Sequence, residues 1–183
     1  MKKRLTLVSL FLFSFILMFT YACAQEARPI TTPEPKNQQV EYALPYPGIL
    51  PDHPLYFLKN VRDWLLKIFI SQPVRKTEFE MLLSDKSLNM AIFLADQGKK
   101  DLALKTLRIS VDHLKTTESY LFEIPASEKP QINNIKDRFE KSLEKHQEII
   151  SNLSLVFSSD QQGEITSMLT ELDTLKSEYL RKK

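Results

Sequence analysis

Apolar residues return every three or four positions from residue 54 to the end of the chain, the period of α-helices with one buried face. The pattern breaks at Ser71-Gln72-Pro73, Gln97-Gly98-Lys99, Ile124-Pro125 and Ser158-Ser159-Asp160. It predicts an all-α fold, a bundle of about five helices over 54–70, 73–97, 100–123, 129–157 and 160–181. Asp52 is placed to cap the first helix, and Pro54 to open its first turn, where a missing N–H costs nothing. Leu55, Leu58, Val61, Leu65, Ile68 and Phe69 form its stripe, with Trp64 beside it. The second helix is apolar over most of its circumference. Phe79, Leu82, Leu83, Leu88, Ile92 and Ala95 are joined by Met81, Met90, Phe93 and Leu94, which predicts a central position.

Gly98 is suited to a left-handed cap that ends the second helix. In the third, Ala103, Leu107, Val111, Leu114 and Leu121 recur at near-heptad spacing. The fourth carries Ile132, Ile135, Phe139, Leu143, His146, Ile150, Leu153 and Phe157, a coiled-coil-like seam with one stutter. Ser159 with Gln162 resembles a capping box ahead of the fifth helix, whose seam is Ile165, Met168, Leu172, Leu175 and Tyr179. Helices four and five are expected to form an antiparallel hairpin.

The chain ahead of the helices has a different character. Lys2, Lys3 and Arg4 precede an apolar run from Leu5 to Thr20, closed by Ala22-Cys23-Ala24. This is the pattern of an export segment. Three fates stay open: cleavage after Ala24, lipidation of Cys23, or retention as an anchor, since the run nears the length of about 18 residues that can cross a bilayer. Each places the rest of the chain outside the cytoplasmic membrane. Residues 25–52 hold six prolines and read as a linker. The part from Tyr42 to Leu50 is apolar enough to be expected against the domain that begins at residue 53.

Charge and composition exclude several classes. The segment 1–24 supplies three of the 25 basic residues and none of the 23 acidic ones, so the remaining 159 residues carry a net charge of −1. Interspersed charge near neutrality makes a poor polyanion binder, and no nucleic-acid partner is expected. The three glycines argue against hairpin-rich sheets and phosphate-cradling loops. Cys23 is the one cysteine, so no internal disulfide can form and packing must supply the stability.

Residues 51–59, PDHPLYFLK, lead into a Trp-containing amphipathic helix and then a helix pair broken at Gln97-Gly98-Lys99. This arrangement resembles a bacterial domain-of-unknown-function family whose members are exported or membrane-tethered and open with P-x-x-P-L-Y-x-L-K. The resemblance covers roughly residues 45–122. It implies an extracytoplasmic helical domain and carries no activity or site residue with it. Residues 91–114 also look like one tetratricopeptide-type hairpin, but no second copy follows, and a plain helix-Gly-helix turn accounts for them.

Candidate chemistry is sparse. His53, His113 and His146 form no ligand pair, and neither a metal nor a cofactor is expected. His146 falls on a seam and reads as a packed residue. Asp112-His113 reads as surface, and His53 as part of the turn before the first helix. Ser142 and Lys145 match S-x-x-K without the companion motifs that give it meaning. Asn152-Leu153-Ser154 is a formal sequon inside a helix. No cluster meets the requirements of catalysis, so the chain reads as a non-enzyme. Tyr56, Phe57, Trp64, Ile68 and Phe69, with basic neighbours Lys59, Arg62 and Lys67, form a candidate interaction surface suited to a membrane interface. The competing expectation, which the sequence favours, is that the first helix closes the core, because Asp63 interrupts its basic face. The function expected is an exported, membrane-tethered helical module that binds a protein or envelope partner. The alternative is a bundle binding a small apolar ligand in a cavity lined by Phe79, Met90 and Phe93.

Overall fold

The computed structural model describes residues 40–125 and 129–183. Residues 1–39, with Cys23, Ala24 and the expected export segment, lie outside the described residues. Five helices follow one another: α1 (Tyr56–Phe69), α2 (Pro73–Asp96), α3 (Lys100–Glu123), α4 (Lys129–Ser154) and α5 (Gln162–Lys182). The fold is all-α, with no strand among the described residues.

Local chemistry sets the helix ends. Pro73 occupies the first turn of α2. At the other end of that helix, Gly98 has φ +75°. Its N–H donates to the Ala95 carbonyl at 2.9 Å, and the Lys99 N–H to the Leu94 carbonyl at 2.9 Å. That bond pair is the Schellman turn, which needs a left-handed residue at Gly98. Three expected ends differ. Asp52 does not cap α1: it pairs with Lys99, while the Leu55 N–H donates to His53 Nδ1 at 3.1 Å and the helix starts at Tyr56, beyond Pro54. The helix α4 stops at Ser154, three residues early, because Gln162 Nε2 donates to the carbonyls of Ser154 (2.6 Å) and Phe157 (3.3 Å) and satisfies them outside the helix. No side chain caps α5, which opens from Gln161 in place of the expected Ser159–Gln162 box; the serine beside it is Ser158. Its hydroxyl donates to Gln161 Oε1 at 2.9 Å.

The helices α2 to α5 run up, down, up and down. His113 of α3 meets Glu80 and Arg138 of α4 meets Glu78, so α3 opposes α2 and α4 parallels it. Lys176 of α5 meets Glu144, and Lys183 meets Glu140, which makes α4 and α5 the expected antiparallel hairpin. Arg108 and Lys182 join α3 to α5 through Glu171 and Glu118. The seam residues Leu107, Val111 and Leu114 of α3, Ile135, Phe139 and Leu143 of α4, and Ile165, Met168 and Leu172 of α5 meet in one core. The rings of Phe139 and Tyr179 lie 5.1 Å apart, tilted by 58°. Burial, with Glu140 and Asp137 nearby, pushes the Tyr179 phenol up to about 12.

Side chains of α2 are buried on nearly every side, as its apolar circumference predicts. One flank is covered by the strap at residues 40–50. The Val40 N–H donates to Glu148 Oε2 at 3.0 Å, and Lys145 Nζ donates to the Val40 carbonyl at 3.1 Å. The Tyr42 hydroxyl donates to Asp85 Oδ2 at 2.6 Å, and Asn89 Nδ2 to the Pro45 carbonyl at 2.9 Å. Pro47 is buried and Leu44 packs against the core. Tyr42 to Leu50 thus lies against the domain as expected, and packing against the helices begins ahead of residue 53, at Val40.

Candidate functional site

An amphipathic helix on a bundle normally turns its apolar stripe inward. In α1 the arrangement is reversed. At about 100° per residue, Trp64, Phe57, Ile68, Val61, Leu65, Leu58 and Phe69 occupy one arc of roughly 140°. That arc faces away from α2: Phe57 is 59% exposed, Trp64 61%, Ile68 59% and Phe69 77%. The two buried residues of α1 are Lys59 and Asp63, each 9% exposed. Lys59 Nζ lies 3.2 Å from Met90 Sδ and 5.2 Å from the centre of the Tyr56 ring. Burial pulls the Lys59 ammonium below its ordinary range, and Asp63 one turn on partly offsets this.

Glu80 on α2 explains the rotation. Its side chain is 5% exposed, and a buried carboxylate needs charged partners. His113 Nδ1 sits 2.6 Å from Oε2, and Lys67 of α1 sits 2.9 Å from Oε1. Burial works to raise the Glu80 carboxyl, but these two bonds outweigh it and hold it below the ordinary carboxylate range. Lys59, Asp63 and Lys67 recur every fourth residue, so turning Lys67 onto Glu80 brings the whole polar face inward. The expectation that α1 closes the core with Leu58, Val61 and Leu65 is therefore overturned. The flank of α2 that needed cover is occupied by the strap.

Of the candidate surface residues, Phe57 and Trp64 stand on the outward arc. Tyr56 does not: it is half-buried at the inward edge, beside Lys59. Ile68 and Phe69, expected either in that surface or in the core stripe, stand on the arc too, with Leu58, Val61 and Leu65, which were expected in the core. The spacing of Lys59, Asp63 and Lys67 was a visible signal, but its meaning depended on Glu80 lying opposite. Arg62 borders the arc on one side, donating to Asp63 Oδ1 at 2.7 Å with its side chain still 60% exposed.

A second polar cluster lies sealed inside the bundle. His146 Nδ1 is 2.7 Å from the Ser142 carbonyl, which can only accept, so Nδ1 carries the proton. Nε2 lies 2.8 Å from Ser84 Oγ, and the same hydroxyl donates to the Ser110 carbonyl at 2.7 Å. Ser142 Oγ donates to Asp85 Oδ1 at 2.6 Å. A serine on a histidine is the pairing of a nucleophile and its base. Ser84 and His146 are, however, fully buried, and a nucleophile must meet its substrate. The S-x-x-K pair is likewise divided between two structural tasks, Ser142 bonding Asp85 and Lys145 holding the strap.

Burial lowers the His146 pKa below 6.5, against the opposing pull of Asp85. As pH falls through about 6.5 the unfolded chain takes up this proton first, so stability is full above that value and declines below it. Denaturant midpoints at about pH 8 and about pH 5.5 are expected to fall more in this protein than in His146→Leu, whose loss of the titrating ring removes that contribution. Equal slopes for the two proteins would contradict the burial argument.

His113 is not the surface residue expected. It is half-buried on Glu80, while Asp112 beside it is exposed. His53 belongs to the turn before α1, as expected. Asn152 is exposed in the last turn of α4. Of the residues expected to line an apolar cavity, Met90 is packed under Lys59, and Phe79 and Phe93 are partly exposed. A cleft of about 470 Å³ opens between the α2–α3 turn and the α4–α5 loop, among Lys99, Lys100, Asp101, Ser158 and Asp160. Gln161 spans it, donating to Asp101 Oδ1 at 2.7 Å. Among the described residues, no three His, Cys, Asp or Glu side chains are grouped to hold a metal ion. No helix among them is long and apolar enough to cross a membrane. No family model, no curated protein and no solved structure matches this chain.

Proposed function

We propose that this chain is an exported, membrane-tethered helical interaction module, with α2 to α5 as a rigid scaffold and α1 as the contact surface. The observation that carries this reading is the outward apolar arc of α1. A contiguous apolar patch on a protein surface is a contact site waiting for cover, whereas scattered apolar residues are not. The helix is also held in that orientation: Lys67 and Lys59 fasten its polar face to α2. Residues 1–24 supply the export signal and the route to a membrane. The strap supports the tether, because bonds from Glu148, Lys145 and Asp85 fix where the preceding chain joins the bundle.

Mass spectrometry of the mature N-terminus, on protein recovered from cell fractions, tests the reading. The expected result is an extracytoplasmic protein that retains membrane attachment, with an acylated Cys23 or an intact Met1. Recovery in the cytosol with Met1 intact would overturn export. A soluble chain starting at Gln25 would overturn the tether while leaving export standing.

A further inference from the structure

We infer that α1 lies in the surface of a lipid bilayer, with its axis along the membrane plane and its outward arc among the upper acyl chains. This deepens the proposed function by naming what the contact surface meets, and it rests on the reading of residues 1–24 as a membrane attachment. Three observations select lipid. The first is proximity. The 16 residues between Cys23 and Val40 reach at most about 60 Å even when fully extended, and the strap then delivers the chain to α1. A bilayer is thus always within reach of this helix. The second is composition. The arc holds Trp64, Phe57, Phe69, Ile68, Val61, Leu58 and Leu65, aromatic and aliphatic together, and Trp favours the level of the lipid headgroups. The third is the charged border. Arg62 on one edge keeps an exposed guanidinium where phosphate groups would lie, while Lys67 on the far side is held on Glu80. At 14 residues α1 is too short to cross a bilayer, but an interfacial helix needs to sink only about 5–10 Å.

The chain contains one tryptophan, Trp64, and it stands on the arc. The full chain is added to vesicles of phosphatidylethanolamine and phosphatidylglycerol, with bromine carried at shallow or deep acyl positions. Trp64 emission reports α1, and flotation of a variant with its arc disabled reports attachment by residues 1–24. Shallow bromines are expected to remove about half of the emission or more, deep bromines less, with a shift to shorter wavelength. In the double variant Val61→Ser, Ile68→Ser the quenching should largely vanish while flotation persists. Its thermal unfolding should be unchanged, because both side chains are exposed. Unquenched Trp64 in floated protein would overturn the inference and leave the tether standing. Quenching in the unaltered chain with flotation lost in the double variant would do the reverse. Emission that shifts with protein concentration in the absence of lipid would show that a second copy covers the arc, and would also overturn it.

Discussion

Phe139→Ala is expected to lower the free energy of unfolding by about 3–5 kcal/mol. Phe69→Ala should leave it within about 0.5 kcal/mol, although the same atoms are removed. Phe139 is fully buried between α4 and α5, its ring against Tyr179. Deleting it forfeits the burial of an aromatic ring and leaves a void that close-packed neighbours refill only in part. Phe69 ends α1 with most of its surface in solvent, so truncation removes little that folding had buried. Urea denaturation of the two variants gives the comparison directly. A loss at Phe69 approaching that at Phe139 would mean that α1 packs its apolar face inward in solution, and the reading of the contact surface would fall with it.

The second large effect belongs to Asp85. Its two carboxylate oxygens accept from the hydroxyls of Tyr42 and Ser142, both at 2.6 Å, and the residue is 3% exposed. Asp85→Ala leaves two buried hydroxyls without an acceptor, at about 1–3 kcal/mol each, while relieving some desolvation of the charge itself. A net loss of about 2–4 kcal/mol is expected. The loss should be accompanied by faster proteolytic cleavage within residues 40–50, because Tyr42 is one of the strap's fastenings. Burial, reinforced by Asp85, already drives the Tyr42 phenol far above its ordinary range. Unchanged stability would show that the carboxylate's own burial cost cancels its bonds. Unchanged cleavage would show that Val40 and Pro45 hold the strap without Tyr42.

The interior seams of α3, α4 and α5 were legible because nothing competes with their periodicity. Leu107, Phe139 and Leu172 each have one apolar face to bury and a bundle in which to bury it. Gly98 was legible for a local reason, since a helix that stops sharply and reverses needs a left-handed residue. The strap fastenings were not. Lys145 reads as half of S-x-x-K or as a solvated lysine, and its burial follows only from Val40 arriving at its ammonium. The cap of α1 failed similarly, because Lys99, distant in sequence, takes Asp52 away.

The sequence by itself determined the all-α class, the number of helices and most of their bounds. Those properties come from spacing, breakers and caps, which act over a few residues. It also showed that α1 has one apolar and one polar face. Only the tertiary structure decided which face turns outward. That choice belongs to Glu80, a carboxylate on another helix that burial leaves in need of cations and that Lys67 and His113 satisfy. A charge that must be paired outweighs an apolar stripe that another surface can cover.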